Sequence, residues 1–277
     1  MSDVRTGPAP TLEQSEAGPR SGGFIWYELM TSDAEAAKDF YDAVVGWNVG
    51  PPGEEFQGYR MIGRSDGGFA GGLMPITSDM QQHGARPGWL GYIHVPDVDR
   101  TAASIERAGG KTWMGPMDIP NVGRIAMMSD PQGAPFYVMK PTPPANDPNA
   151  QSDVFSPDAQ QRVGWNELQT SDVAAARRFY GEQFGWDTDE FMDMGEMGEY
   201  RFIHHGGQRL GALFNASNGP PPHFRFYIRV PSIGRAKAVA EAKGGTIHMG
   251  PHQVPTGDWI VIGSDPQGAE FALVGGE

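Results

Sequence analysis

The chain has 277 residues, room for about two ordinary domains or one large one. It contains no cysteine, which excludes disulfides, thiol nucleophiles, iron–sulfur clusters and cysteine-based zinc sites. With 34 acidic against 21 basic side chains the net charge is −13, the wrong sign for binding a phosphate backbone, so nucleic acid is not an expected partner.

The first residues, 1–21, lack the apolar centre of a secretory signal and read as a flexible arm. No apolar run is long enough to span a bilayer, and a cytoplasmic protein that does not engage a membrane is expected. From Phe24 to Met30 the side chains alternate as in a strand, and Ser32-Asp33 then caps a helix with Ala36, Ala37, Phe40 and Tyr41 at helical spacing up to Gly46. Tyr59–Ile62 and Phe69–Met74 read as a hairpin, and the glycines between apolar runs read as turns. A strand over Leu90–Val95, a helix from Val98 to the stop at Gly109-Gly110, and strands over Thr112–Met114, Arg124–Met128 and Pro135–Met139 complete the first half.

The order then repeats. The segment WYELMTSDAEAAKDFYDAVVGW from Trp26 returns from Trp165 as WNELQTSDVAAARRFYGEQFGW, at an offset of 139. At an offset of 135, Tyr92, Val95-Pro96, Gly109-Gly110, Met114-Gly115-Pro116 and Ser129-Asp130-Pro131-Gln132-Gly133 return as Tyr227, Val230-Pro231, Gly244-Gly245, Met249-Gly250-Pro251 and Ser264-Asp265-Pro266-Gln267-Gly268. Two homologous domains are therefore predicted over 22–140 and 161–277, joined by a proline-rich linker at 141–160. Each domain is itself two β-α-β-β-β units.

Three motifs carry a resemblance: the openings Thr31–Trp47 and Thr170–Trp186, the unit Val95–Gly110, and the endings Ser129–Phe136 and Ser264–Phe271. They resemble the vicinal oxygen chelate superfamily, which includes glyoxalase I, bleomycin- and fosfomycin-resistance proteins and extradiol dioxygenases, and within it the two-domain glyoxalase-like subgroup. The resemblance implies an α+β fold of tandem domains, in each of which the paired units form an open, curved, eight-stranded sheet around a small-molecule cavity. In metal-using members four strand positions supply ligands. By motif spacing these fall on Trp26, near Met74, Leu90 and Tyr137 in domain 1, and on Trp165, near Phe214, Arg225 and Ala272 in domain 2. None is a metal-competent ligand, so no cofactor is expected there. An off-pattern metal site could be built from His248 and His252 with Glu167.

Strand alternation puts Glu28 inward beside Trp26, and Glu167 beside Trp165. An indole desolvates a neighbouring carboxylate and raises its pKa, which suits proton transfer near neutral pH, although a structural hydrogen bond would satisfy the same pattern. Glu28, Glu167 and His94 are the catalytic candidates. Trp26, Tyr92, Trp113 and Tyr137 are expected to line the first cavity, and Trp165, Arg225, Tyr227, Arg229 and His248 the second, where the two arginines suit an oxyanion. The expected function is metal-independent acid–base chemistry, of lyase or isomerase type, on a small aromatic or carbonyl-bearing molecule. Two alternatives stand beside it: a sequestering protein like the bleomycin-resistance proteins, and a metal-dependent lyase or dioxygenase with off-pattern ligands. Both a monomer with pseudo-dimeric domains and a homodimer fit a duplicated chain.

Overall fold

A computed structural model describes residues 21–53, 57–216 and 219–277, so the arm read over 1–21 lies, all but its last residue, outside the described residues. The first strand, β1 (Phe24–Thr31), shows why the alternation matters: Tyr27 and Leu29 are fully buried on one side, while Trp26, Glu28 and Met30 take the other. Asp33 then accepts hydrogen bonds from the Glu35 and Ala36 N–H groups and starts α1 (Ala34–Val45). Gly46 ends the helix in the left-handed region at φ 80°, a conformation that costs glycine little.

The remainder of domain 1 comprises β2 (Asn48–Val49), β3 (Arg60–Gly63), β4 (Phe69–Pro75), α2 (Ser78–Gln82), β5 (Gly88–His94), α3 (Val98–Arg107), β6 (Lys111–Ile119), β7 (Gly123–Ser129) and β8 (Pro135–Pro141). Domain 2 repeats the plan with β9 (Val163–Thr170), α4 (Val173–Phe184), β10 (Phe191–Asp193), β11 (Glu199–His205), β12 (Gln208–Asn215), β13 (His223–Ser232), α5 (Ile233–Ala242), β14 (Thr246–Gln253), β15 (Trp259–Ser264) and β16 (Glu270–Gly276). No helix among the described residues is long and apolar enough to cross a membrane.

Each domain forms one open eight-stranded sheet, ordered β2-β3-β4-β1-β5-β8-β7-β6 and β10-β11-β12-β9-β13-β16-β15-β14. The two β-α-β-β-β units of domain 1 join along the antiparallel pair β1–β5, and those of domain 2 along β9–β13. Glu28 and Glu167 therefore sit on central strands. Three short elements escape the sequence pattern, β2, β10 and α2, each too brief to show a period. β6 is longer than the predicted Thr112–Met114, because register shifts around Met114 and Met117 let it follow β7 to Ile119.

One core runs through both domains. Phe24 packs edge-on against Phe224 and Phe226, while Phe40 meets Phe271 and Phe136 meets Tyr180 at a tilt. The Ser-Asp-Pro-Gln-Gly motif does two jobs in this core. Asp130 Oδ1 accepts from the Gln132 and Ala134 N–H groups of its own turn, while its Oδ2 accepts from the Tyr180 hydroxyl of the other domain at 3.1 Å. Asp265 does the same with Gln267, Ala269 and the Tyr41 hydroxyl, also at 3.1 Å. The linker is likewise packed against both domains: Asp153 pairs with Arg64 of domain 1 and Arg162 of domain 2, and Val154 is buried in the shared core.

Candidate functional site

Opposite the shared core, β1 presents Trp26, Glu28 and Met30. Register carries this face across the sheet: Trp26 stands beside Tyr92 of β5, Tyr92 beside Tyr137 of β8, and Glu28 between Leu90 and Gly72. Tyr92 and Tyr137 stack with centroids 4.2 Å apart and planes within 10°. The carboxylate of Glu28, 1% exposed, accepts from the Tyr92 hydroxyl at 2.9 Å and is also hydrogen-bonded by Tyr59. Tyr59 in turn accepts from the Trp26 indole N–H at 2.8 Å. The Oε1 atom of Glu28 has no partner although it is buried.

This environment sets the proton affinity. Burial disfavours the charged carboxylate and outweighs the hydrogen bonds from Tyr92 and Tyr59 that favour it, so the Glu28 pKa is pushed up from 4.5 to about 7. No arginine or lysine is among the groups acting on it. Burial, together with the neighbouring Glu28 charge, raises both tyrosines well above their ordinary value and keeps them as hydroxyl donors.

Domain 2 repeats the arrangement with one decisive change. The Trp165 indole donates to the Tyr200 hydroxyl at 2.9 Å, Tyr200 donates to Glu167 Oε2 at 2.8 Å, and Tyr227 donates to Glu167 Oε1 at 3.2 Å. In register with Glu167, where domain 1 has Leu90, stands Arg225. Its guanidinium bonds Glu167 Oε1 at 3.0 Å and Glu270 at 2.9 and 3.0 Å, and the Gln169 amide oxygen faces it at 2.7 and 3.1 Å. His223 completes this set at 3.3 Å from Glu270. Burial still raises the Glu167 pKa, opposed by the Arg225 charge and the hydrogen bonds of Tyr200, Tyr227 and Arg225. Burial would raise Glu270 too, but hydrogen bonds from His223 and Arg225 pull it down to about 2. Both oxygens of Glu167 are thus occupied, whereas Glu28 keeps one free.

Of the residues singled out from sequence, Trp26, Glu28, Tyr92 and Tyr137 come together in domain 1, and Trp165, Glu167, Arg225 and Tyr227 in domain 2. His94 is buried two residues beyond Tyr92, in register with Met139. The expected pair of oxyanion-binding arginines is not free: Arg225 is engaged by two carboxylates and Arg229 by Asp258. Trp113 and His248 do not join the clusters. Both lie on edge strands, Trp113 57% exposed under the Lys111 ammonium, His248 exposed with its Nε2 2.7 Å from the Ser264 hydroxyl. Edge position explains this, because β6 and β14 have a neighbour on one side only.

Sequence reasoning missed Tyr59 and Tyr200, the hydroxyls that bridge indole and carboxylate, and it missed Gln169, His223 and Glu270 as partners of Arg225. A signal for the tyrosines was present. Tyr59-Arg60-Met61-Ile62 returns as Tyr200-Arg201-Phe202-Ile203, a repeated Tyr-Arg-x-Ile entry to the second long strand of each half.

The four inherited ligand positions carry an indole, a thioether, an aliphatic chain and a phenol in domain 1, and an indole, a phenyl, a guanidinium and a methyl in domain 2. That chemistry does not fit a divalent cation. Among the described residues no group of three or more His, Asp or Glu side chains gathers closely enough to hold one, His248 and His252 included.

The comparisons agree with this architecture. A 28% identical protein covers 92% of this chain and 95% of its own length, "Putative glyoxylase CFP32" of Mycobacterium bovis. The anthracycline biosynthesis protein DauV of a Streptomyces species is 27% identical, over 91% of this chain and 93% of its own. Among solved structures, the Mn(II)-bound glyoxalase from Novosphingobium aromaticivorans superposes with a TM-score of 0.62 at 18% identity, over 92% of this chain and 82% of that one. The family model described as Glyoxalase/Bleomycin resistance protein/Dioxygenase superfamily matches residues 23–138 and again 162–273. With both halves matched and both sheets built to one plan, the chain belongs to the glyoxalase, bleomycin-resistance and dioxygenase superfamily.

Proposed function

We propose that domain 1 performs acid–base chemistry on a small aromatic or carbonyl-bearing molecule without a metal, with Glu28 as the proton-transfer group. The observation that carries this reading is a buried carboxylate, free of any cation, with one unpartnered oxygen and an ionisation near neutral pH. Glu28 Oε1 takes a proton from a carbon next to a carbonyl, or from a hydroxyl, while Tyr92 and Tyr59 hold the carboxyl group in place. The protonated carboxyl then returns the proton elsewhere on the same molecule, which isomerises it, or to a leaving group, which eliminates it. A group whose pKa is matched to the working pH performs both halves with little penalty. The likeness to proteins named for glyoxylase and for anthracycline biosynthesis supports a carbonyl-bearing, aromatic ligand.

The test is deuterium uptake from D2O into an enolisable aryl ketone such as 2-tetralone, followed by proton NMR. The protein should accelerate exchange, with a rate that climbs through pH 7, and Glu28→Gln should abolish the acceleration while circular dichroism stays unchanged. Unaltered exchange in Glu28→Gln, or loss on Glu167→Gln instead, overturns the assignment. Tight binding without exchange at any pH would favour a sequestering protein.

A further inference from the structure

Seven methionines share the face of Glu28. Register places them there: Met74 beside Met30, Met61 beside Gly72 and so in line with Glu28, Met127 and Met114 in line with Tyr137, and Met139 and Met117 on either side of Ile125. Domain 2 serves as an internal control for composition. At the corresponding register positions it has Gln169, Phe214, Phe202, Ile262, Val274 and His252, and only Met249 remains a methionine. Met192 of β10, in register with Tyr200, adds a second, so seven thioethers against two concentrate in the sheet whose carboxylate has no arginine. A second difference falls on the same face. The β4–β5 connection of domain 1, residues 76–87 with α2, lays Ile76, Met80 and Ala85 on this cluster, and the matching β12–β13 connection, 216–222, is five residues shorter.

We infer that this face takes a flat, uncharged ligand of two or more fused aromatic rings, which presents one hydroxyl or enolisable position to Glu28. Methionine side chains have three rotatable bonds and a polarizable sulfur, so they reshape around a rigid ring system and make favourable contacts with its edges. Tyr92 and Tyr137 are already stacked and extend the same preference. An anion would meet a carboxylate with no compensating guanidinium, since Leu90 stands where Arg225 does in domain 2. The exposure of Met61, Met114 and Met117 leaves an apolar rim through which such a ring could enter.

The inference rests on the assignment of Glu28 above and fails separately from it. Isothermal titration with 1,8-dihydroxyanthraquinone, its anionic relative anthraquinone-2-sulfonate, and the single-ring acetophenone compares the classes. The uncharged tricycle should bind at one equivalent per chain, at least tenfold tighter than either of the others. Met61→Gln with Met127→Gln should weaken it at least tenfold, Met61→Leu with Met127→Leu should restore it, and Phe202→Gln in domain 2 should have no effect. Equal binding of the sulfonate, no binding of the tricycle, or a loss on Phe202→Gln as large as on the methionine pair overturns the inference. Because binding needs no proton transfer, tricycle selectivity alongside unaltered exchange in Glu28→Gln would remove the catalytic assignment alone.

Discussion

Glu28→Gln should gain stability relative to the parent protein as the pH is raised from 5 to 8. The folded state raises the Glu28 pKa to about 7, from an ordinary value of 4.5, because burial penalises the charge more than Tyr92 and Tyr59 reward it. Between those two values the folded chain holds a proton that the unfolded chain has already released. Stability from this group is therefore complete below pH 4.5 and is lost as the pH rises through 7. At about 1.4 kcal/mol for each tenfold change in proton affinity, the ionised form costs about 3 kcal/mol by pH 8 and under 1 kcal/mol at pH 5. Glutamine does not titrate, and its fixed contribution cancels when the two pH values are compared. Urea unfolding of both proteins at pH 5 and pH 8 should show a stability difference that moves by about 2–3 kcal/mol in favour of the variant. A difference constant to within about 0.5 kcal/mol would mean that Glu28 ionises as an ordinary carboxyl, and the reasoning from burial would fail.

Leu90→Arg should copy the clamp of domain 2 into domain 1. A guanidinium about 4 Å from Glu28 contributes about 4 kcal/mol at an effective dielectric near 20, enough to return the carboxyl to its ordinary range or below. The low-pH limb of the exchange profile should shift to lower pH and its plateau should fall, and an unmoved limb would show that the charge of Arg225 is not what separates the domains. Tyr41→Phe and Tyr180→Phe each remove one hydrogen bond between the domains to Asp265 or Asp130. Tyr180→Phe should cost about 1 kcal/mol in urea unfolding and Tyr41→Phe more, because the Tyr41 hydroxyl also accepts from the Trp89 indole N–H, with exchange unaffected in both; no loss in either would show that these bonds do not hold the domains together.

The repeat, the element order and the inward face of β1 were legible because each rests on local periodicity. Alternation alone placed Trp26, Glu28 and Met30 together, and the Asp33 and Gly46 signals bounded α1. The partners of the two glutamates were less legible, because they come from other strands. Tyr59 reaches Glu28 only through the β3–β4–β1 pairing, and Glu270 reaches Arg225 through β13–β16, distances in sequence that no local pattern spans. The sequence reading treated Arg225 and Arg229 as free cations for the same reason. Their charge was visible, but the carboxylates that consume it were not assigned to them. Trp113 was read on a strand and His248 beside Met249-Gly250-Pro251 outside regular pairing, whereas His248 lies within β14; neither reading carries information about sheet order, and both strands are edges.

The two domains hold the same buried carboxylate in two electrostatic settings. Trp26, Tyr59, Glu28 and Tyr92 repeat the placement of Trp165, Tyr200, Glu167 and Tyr227, so the four residue types by themselves do not distinguish a working site from a structural one. What distinguishes them is whether the carboxylate is neutralised. In domain 2 Arg225 relieves the buried charge of Glu167 and ties β9 to β16 through Glu270. In domain 1 Leu90 leaves Glu28 with tyrosine hydrogen bonds but no cation, so its ionised form costs stability as the pH rises through 7. On the reading proposed for Glu28, a buried carboxylate left without a cation, beside a copy of itself that has one, is the copy put to use.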